Sequence, residues 1–319
     1  MKADEPRDRN RAELTLLLPA PAERDLPAGR RDALKGHLMS ELRLAAGSPT
    51  AGPATRRRRP AIVLAAVGAA ALAAAIVVTL LPGNTPGTSP AAARLLAKIA
   101  TAAARQPSPP VQGSQFWYIK SWVAYQSCDG GTGRCVLEKP HERQIWQSVS
   151  NLCVTGLLRE DGQDTPLKFS SNYLHCPYRG GMNDPTYRFL RSLPTDPQAL
   201  LSRIEQQMSG QLPQPVEAFT TIGDLLREAI APPRVSAALY RAAALIPGVT
   251  VVPNATDAIG RHGVAVALTY QGVRTEWIFS RHTLLYLGES DVKVATGAIT
   301  GKAAVLQRAF VDHAGQIPH

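Results

Sequence analysis

Residues 61–81 read AIVLAAVGAAALAAAIVVTLL, 21 residues without one charged side chain. As a helix, at about 1.5 Å of rise per residue, such a run crosses a hydrocarbon core roughly 30 Å thick. The stretch predicts one membrane-spanning helix, which divides the chain between two compartments. Two other readings fit less well. A buried core helix rarely runs this long without a polar face, and a signal peptide rarely follows an n-region of sixty residues, even with small residues for cleavage at Ala91-Ala92-Ala93. Arg56, Arg57, Arg58 and Arg59 stand immediately before the run, whereas Pro82-Gly83-Asn84-Thr85-Pro86-Gly87 follows it. Positive charge stays on the cytoplasmic side, so the expected topology is N-terminus inside and C-terminal domain outside the cytoplasm, in the cell membrane.

The expected segments are a cytoplasmic tail over 1–60, the spanning helix over 61–81, a linker and helix over 82–113, and an extracytoplasmic domain over 114–319. A domain of that size buries enough surface to fold without a metal or staple. The net charge of +10 does not point to nucleic acid, because much of the surplus sits in the arginines beside the membrane run. There it serves topology and attracts anionic head groups, at about 1 kcal/mol each. Arginine and alanine far exceed lysine, as in chains from high-GC bacteria.

In the tail, Leu34, Leu38 and Leu42 recur four apart with Met39 beside them, and Gly47-Ser48-Pro49 ends the pattern. This predicts a short amphipathic helix over 30–46. Nothing else in the tail is large enough to pack against its stripe. A cytoplasmic protein partner is the first candidate to cover it; the rivals are the inner leaflet, met by Arg30, Arg31, Lys35 and Arg43, and no stable structure at all.

All four cysteines, Cys128, Cys135, Cys153 and Cys176, follow the membrane run. An even number outside the cytoplasm favours two disulfides. Of three pairings we favour Cys128–Cys135 with Cys153–Cys176, since the glycine-rich loop from Cys128 to Cys135 can bring its ends together. A zinc site using His175 is the rival, but no Cys-x-x-Cys pair exists.

Along the outer segment, 91–104 reads as a helix with Leu95, Leu96 and Ile99 on one side, and the prolines of 106–112 end it. Residues 116–123 are dense in aromatic and β-branched side chains on both alternating faces, a strand covered on both sides. Residues 143–149 and 153–158 read as an antiparallel hairpin about Ser150-Asn151. Three helical stripes follow. Asp196 caps a helix begun by Pro197; Thr221-Ile-Gly-Asp224 resembles a capping box before Leu225; and Val235, Ala238, Leu239, Ala242 and Ile246 run to Pro247-Gly248. Strands are expected over 249–252, 264–270, 275–279 and 284–287, with a turn at Gln271-Gly272. Val264, Val266, Leu268 and Tyr270 would face helices, while the small Ala265, Ala267 and Thr269 would lie on an uncovered side. Residues 303–311 add a last strand or helix. The order of strands, helices and strands predicts an α+β domain, a mainly antiparallel sheet packed with about three helices.

No phosphate loop, nucleophile elbow or His-Glu-x-x-His helix is present. His141, His175, His262, His282 and His313 are scattered, each without a nearby acid or nucleophile in sequence. The expectation is no enzyme, no cofactor and no metal site. Asn254-Ala-Thr256 matches a glycosylation sequon, which would matter only on a eukaryotic secretory route.

Several short matches run along most of the chain: Leu17-Leu-Pro-Ala-Pro21, Pro27-Ala-Gly-Arg30 and Leu34-Lys-Gly-His-Leu38-Met in the tail; Leu193-Pro-Thr-Asp-Pro197 with Leu200-Leu201; Gly248-Val249, Val252-Pro253, Asp257-Ala-Ile-Gly-Arg261 and Gly263-Val264-Ala-Val266; and Leu287-Gly288 after a strand. With these it resembles a family of uncharacterised actinobacterial single-pass membrane proteins, a resemblance that implies no established reaction. More distantly, in element order, the outer domain resembles periplasmic lipoprotein carriers and sigma-factor regulators. A tail helix inside and a sensing domain outside resembles membrane-bound anti-sigma factors, though the tail has only His37 and no cysteine and so departs from their zinc-binding class. The resemblance implies a non-enzymatic protein. Its outer domain would sense or bind a lipid or envelope ligand, and its tail would engage a cytoplasmic regulatory protein such as a sigma factor. The alternatives are a tethered lipid- or lipoprotein-binding module with an inert tail and, third, an extracytoplasmic enzyme.

Overall fold

The computed structural model describes residues 87–129, 134–167, 178 and 180–318. The tail with Leu34, Leu38, Met39 and Leu42, the arginines 56–59 and the apolar run 61–81 lie outside the described residues, as do His175 and Cys176. Among the described residues no helix is long and apolar enough to cross a membrane.

The described helices are α1 (Pro90–Ala104), α2 (Tyr187–Arg191), α3 (Pro197–Glu205), α4 (Gln214–Glu228) and α5 (Pro233–Ala243). The strands are β1 (Phe116–Cys128), β2 (Cys135–Leu137), β3 (His141–Ser148), β4 (Gly156–Glu160), β5 (Gln163–Leu167), β6 (Thr250–Thr256), β7 (His262–Tyr270), β8 (Val273–Phe279), β9 (Tyr286–Lys293) and β10 (Ile299–Val311). They form one sheet in the order β5-β4-β3-β1-β10-β9-β8-β7-β6, with β2 on β1. The ladders between consecutive strands of that order are antiparallel. The sheet is mainly antiparallel with helices against it, as the α+β reading expects, and the last segment is a strand.

Local chemistry explains the element ends. Ser89 accepts a hydrogen bond from Ala92 N at 3.1 Å and Pro90 opens α1, while Asp196 accepts one from Ala199 N at 2.9 Å and Pro197 opens α3. In both, a short polar side chain satisfies an orphan N–H and proline sits where no donor is needed. Gln271 and Gly272 have φ of 47° and 77°, the left-handed pair that joins β7 to β8 in a tight hairpin.

Helices α1, α3, α4 and α5 share one core with the sheet. Leu96 and Ile99 of α1, Leu200 of α3, Phe219 and Ile222 of α4 and Leu239 of α5 meet Trp117, Ile119, Val266, Trp277 and Phe279 of the strands. Phe219 stacks on Trp277 with ring centroids 3.8 Å apart. Helix α4 comes that close because position 223 is glycine: a Cβ there would lie 2.6 Å from the Trp277 indole nitrogen. Helix α1 is built into the same core, and Ser89 N donates to Val249 O at 2.9 Å.

Three expectations are corrected. Thr221-Ile-Gly-Asp224 does not start a helix; α4 begins at Gln214, so Thr221 lies in its interior. The hairpin after β3 has no two-residue turn, because β3 ends at Ser148 and β4 begins only at Gly156. The small-residue face of β7 is not uncovered: Ala265 and Ala267 are fully buried, and Ala265 packs with Ala255 and Ile278 in a separate cluster. Alanines there fit a crowded layer.

Cys128 and Cys135 form a disulfide, where Asp129 N also donates to Arg134 O at 2.9 Å. Cys153 is disulfide-bonded as well.

Candidate functional site

A cavity of about 760 Å³ opens between the end of α4, the start of α5 and strands β9 and β10, within the usual size range of small-molecule sites. Its origin lies in the sheet. The β9–β10 ladder runs only from Ile299 to Ala304 on β10, ending at Gly288 on β9, while the remainder of β10 pairs with β1. Where the ladder stops, Leu284–Leu287 and Val305–Phe310 part and line the space.

The parting is pinned by the segment Asp257-Ala-Ile-Gly-Arg261. Arg261 Nη2 donates to Leu287 O at 2.8 Å and to Val305 O at 3.0 Å, bridging the two strands. The fully buried Asp257 carboxylate holds it by accepting from Arg261 Nε at 2.6 Å, from Arg261 N at 2.9 Å and from Ile259 N at 3.1 Å. A charge-assisted pair of this kind fixes orientation as well as contributing energy.

The walls are aromatic and aliphatic. Tyr187 meets Phe310 edge-on at 5.2 Å, and behind the wall the fully buried Phe279 meets Tyr240 at 5.6 Å and Tyr286 at 5.7 Å, the tilted geometry that ring quadrupoles favour. Leu225, Leu226, Ala229 and Ile230 supply aliphatic surface. Burial pushes the Tyr240 and Tyr286 phenols well above their ordinary value, so both stay neutral. The Tyr286 hydroxyl is buried without a hydrogen-bond partner.

Besides Arg261, which Asp257 pairs, the cavity is lined by a second cation, Arg308. It donates to Leu226 O near the end of α4 and lies over the Tyr286 ring, 5.5 Å from the centroid. Its side chain is open to solvent where it lines the cavity, yet protein surrounds it deeply enough that burial pulls its pKa below the usual arginine value.

Beside the cavity a second polar cluster ties α4 to the sheet. Arg227 donates to Glu289 of β9, to Glu228 at 2.8 Å and to Asp224 at 2.9 Å. Arg143 of β3 reaches Glu228 at 2.7 Å, and Asp291 accepts from Thr275 Oγ1 at 2.7 Å. Burial drives the Glu289 carboxyl up; Arg227 opposes this, Asp291 and Asp224 reinforce it, and the result is about 7. Glu228 is buried too, but Arg143 and Arg227 together hold it down at about 2. One guanidinium shared among three carboxylates is itself held firmly charged and leaves Glu289 under-compensated.

The described histidines do not converge. His141 faces Glu160 at 3.0 Å across the β3–β4 pair, an acid partner that sequence distance hid. His262 lies 3.5 Å from Thr256 Oγ1, and His282 and His313 are exposed. Among the described residues no three metal-ligating side chains gather. Arg308, Tyr240, Tyr286, Arg227 and Glu289 were not singled out from sequence. Asp257, Arg261 and Leu287 carried a signal, as parts of family-like motifs without an assigned role.

No protein-family model matches the chain, and no curated protein does. Nine solved chains match. One is the crystal structure of MucB, 13% identical over 72% of this chain and 61% of that one, with a TM-score of 0.24. Another is MucB in complex with MucA(peri), 12% identical over 68% of this chain and 55% of that one, at 0.22. A third is the LolA superfamily protein NE2245 from Nitrosomonas europaea, 11% identical over 63% of this chain and 73% of that one, at 0.18. The chain thus spans less than two thirds of either MucB chain. At these TM-scores nothing about activity or partners transfers.

Proposed function

We propose that this chain is a non-catalytic, single-pass membrane protein whose extracytoplasmic domain binds an apolar ligand and whose cytoplasmic tail engages a regulatory protein such as a sigma factor. The cavity carries the reading: its volume suits a small ligand, its walls are mostly rings and aliphatic side chains, and a dedicated Asp257–Arg261 clamp holds its two strands at the parting. Apolar surface in such a space is released from water when a ligand enters, at about 25 cal/mol per Å². The membrane run and the arginines before it support the anchoring, and the Leu34, Leu38, Leu42 stripe supports the tail's role.

The test is displacement of a neutral fluorophore, N-phenylnaphthylamine, from the full-length chain. The native protein is expected to bind it, and Ser236→Trp, which places a ring in the cavity from α5, is expected to weaken binding roughly tenfold or more without changing the unfolding midpoint. Equal binding by the variant, or none by the native chain, overturns the cavity reading. For the tail, Leu38→Asp is expected to abolish capture of the cytoplasmic partner while membrane insertion persists. Capture unchanged by Leu38→Asp would leave the tail an inert tether.

A further inference from the structure

One end of the cavity carries an uncompensated positive charge. Arg308 has no carboxylate within ion-pair distance among the described residues, and the acid that most influences it, Glu228, is already held by Arg143 and Arg227. Among the described residues only Nη2 of its nitrogens is engaged, by Leu226 O, so Nε and Nη1 remain to donate. The guanidinium rests on the Tyr286 ring, which fixes its plane, and neutral phenols flank it. A planar cation presenting two free donors into an apolar, solvent-accessible space suits an acid group, because guanidinium and carboxylate or phosphate pair through two parallel hydrogen bonds.

We propose that the ligand is an anionic amphiphile, its hydrocarbon part among the cavity's rings and its acid group on Arg308. This rests on the cavity reading above and adds the chemical class and the orientation of the ligand. The bond to Leu226 O also lets Arg308 cap the C-terminal end of α4, where a cation is favourable. Capping alone requires neither the free donors nor a position facing the cavity, and it gives the arginine no bearing on what the cavity selects.

The experiment compares three amphiphiles of equal chain length, dodecanoate, dodecanol and dodecyltrimethylammonium, as displacers of N-phenylnaphthylamine from the full-length chain near neutral pH, with acetate and inorganic phosphate as head groups alone. Dodecanoate is expected to displace the fluorophore at roughly 10- to 100-fold lower concentration than dodecanol, the range for a hydrogen bond to a charged group, and dodecyltrimethylammonium only at higher concentration than either. Arg308→Met is expected to bring dodecanoate and dodecanol together while dodecanol binding persists, and Arg308→Lys to retain part of the acid preference. Both variants are read by the acid-to-alcohol ratio, which loss of a helix cap does not move. Equal displacement by acid and alcohol in the native protein overturns the acid assignment and leaves the cavity reading standing. No displacement by any amphiphile removes both. Displacement by acetate or phosphate alone would instead make Arg308 a site for free anions, and a preference that survives Arg308→Met would place the acid group elsewhere.

Discussion

Arg227→Met is expected to lower stability by about 3–5 kcal/mol on the alkaline side of neutral, measured by denaturant unfolding. The substitution keeps the length of the side chain but strips the charge from a guanidinium that serves Glu289, Glu228 and Asp224 at once. Breaking a buried ion pair by removing one partner costs this much because the remaining charge is stranded. Glu289, with a side chain only 8% exposed, is the group most affected. Two further measurements identify the cause. The loss should be larger at about pH 9, where Glu289 beside Arg227 is ionised in the native protein, than at about pH 5, where it is protonated and has no charge to strand, and Glu289→Leu added to Arg227→Met should recover much of the stability, since apolar replacements of buried pairs are often neutral or better. A loss that is the same at both pH values would mean that α4 depends on Arg227 for packing and not for charge.

The second large effect is the native protein's own pH profile. The folded pKa of Glu289, about 7 against an ordinary 4.5, means that the folded state holds this proton more tightly than the unfolded state does. Between those values the folded state binds more protons, so stability falls as pH rises through the interval, by about 3 kcal/mol in all. Glu228 runs the other way: with its folded pKa at about 2, its contribution is present above pH 4.5 and is lost as pH falls through 4.5 toward 2. Stability is therefore expected to peak on the acidic side of neutral, near about pH 5. Burial pulls His141 down, but hydrogen bonding to Glu160 and to the Lys139 carbonyl helps leave it above 6.5, which adds a small loss of the same sign as pH rises past that value. Unfolding midpoints across this range, for the native chain and for Glu289→Gln, provide the check. The variant should lose most of the slope between about pH 5 and 7, and a slope that survives it would assign the dependence elsewhere.

Where the chain's instructions are local, sequence conveyed the fold. Asp196-Pro197 carries both halves of a helix start, a capping oxygen and a residue with no donor to waste, and α3 begins there. Gln271-Gly272 carries the left-handed pair that a tight hairpin needs. Strand β1 was legible because aromatic residues at 116, 117 and 118 leave neither face polar, and the structure buries Trp117 in one cluster and Tyr118 in another. The start of α4 was misread because Thr221 and Asp224 have the spacing of a cap while sitting inside a helix that Pro213 and Pro215 introduce seven residues earlier.

The site was not legible, for a different reason. Arg308 lies 82 residues from the carbonyl it meets on α4, and in its own strand it reads as one polar residue among alternating neighbours. Arg227 is three residues from Asp224 on a helix, a spacing that ordinarily marks a solvated surface pair; only the arrival of Glu289, 62 residues later, makes the cluster internal. Likewise, nothing in the alternation along β9 or β10 says where their ladder will end.

That ending has a mechanical consequence. The strands on one side of the parting, β5-β4-β3-β1-β10, join those on the other, β9-β8-β7-β6, through a ladder between Ile299–Ala304 and Gly288–Val292 and through the guanidinium of Arg261 beyond it. Among the described residues, the strands at the cavity are therefore joined by two hydrogen bonds from Arg261 and the contact of Arg308 with the Tyr286 ring, and by no backbone ladder. The sheet is closed there by side chains alone, a seam of two stitches beside a woven ladder.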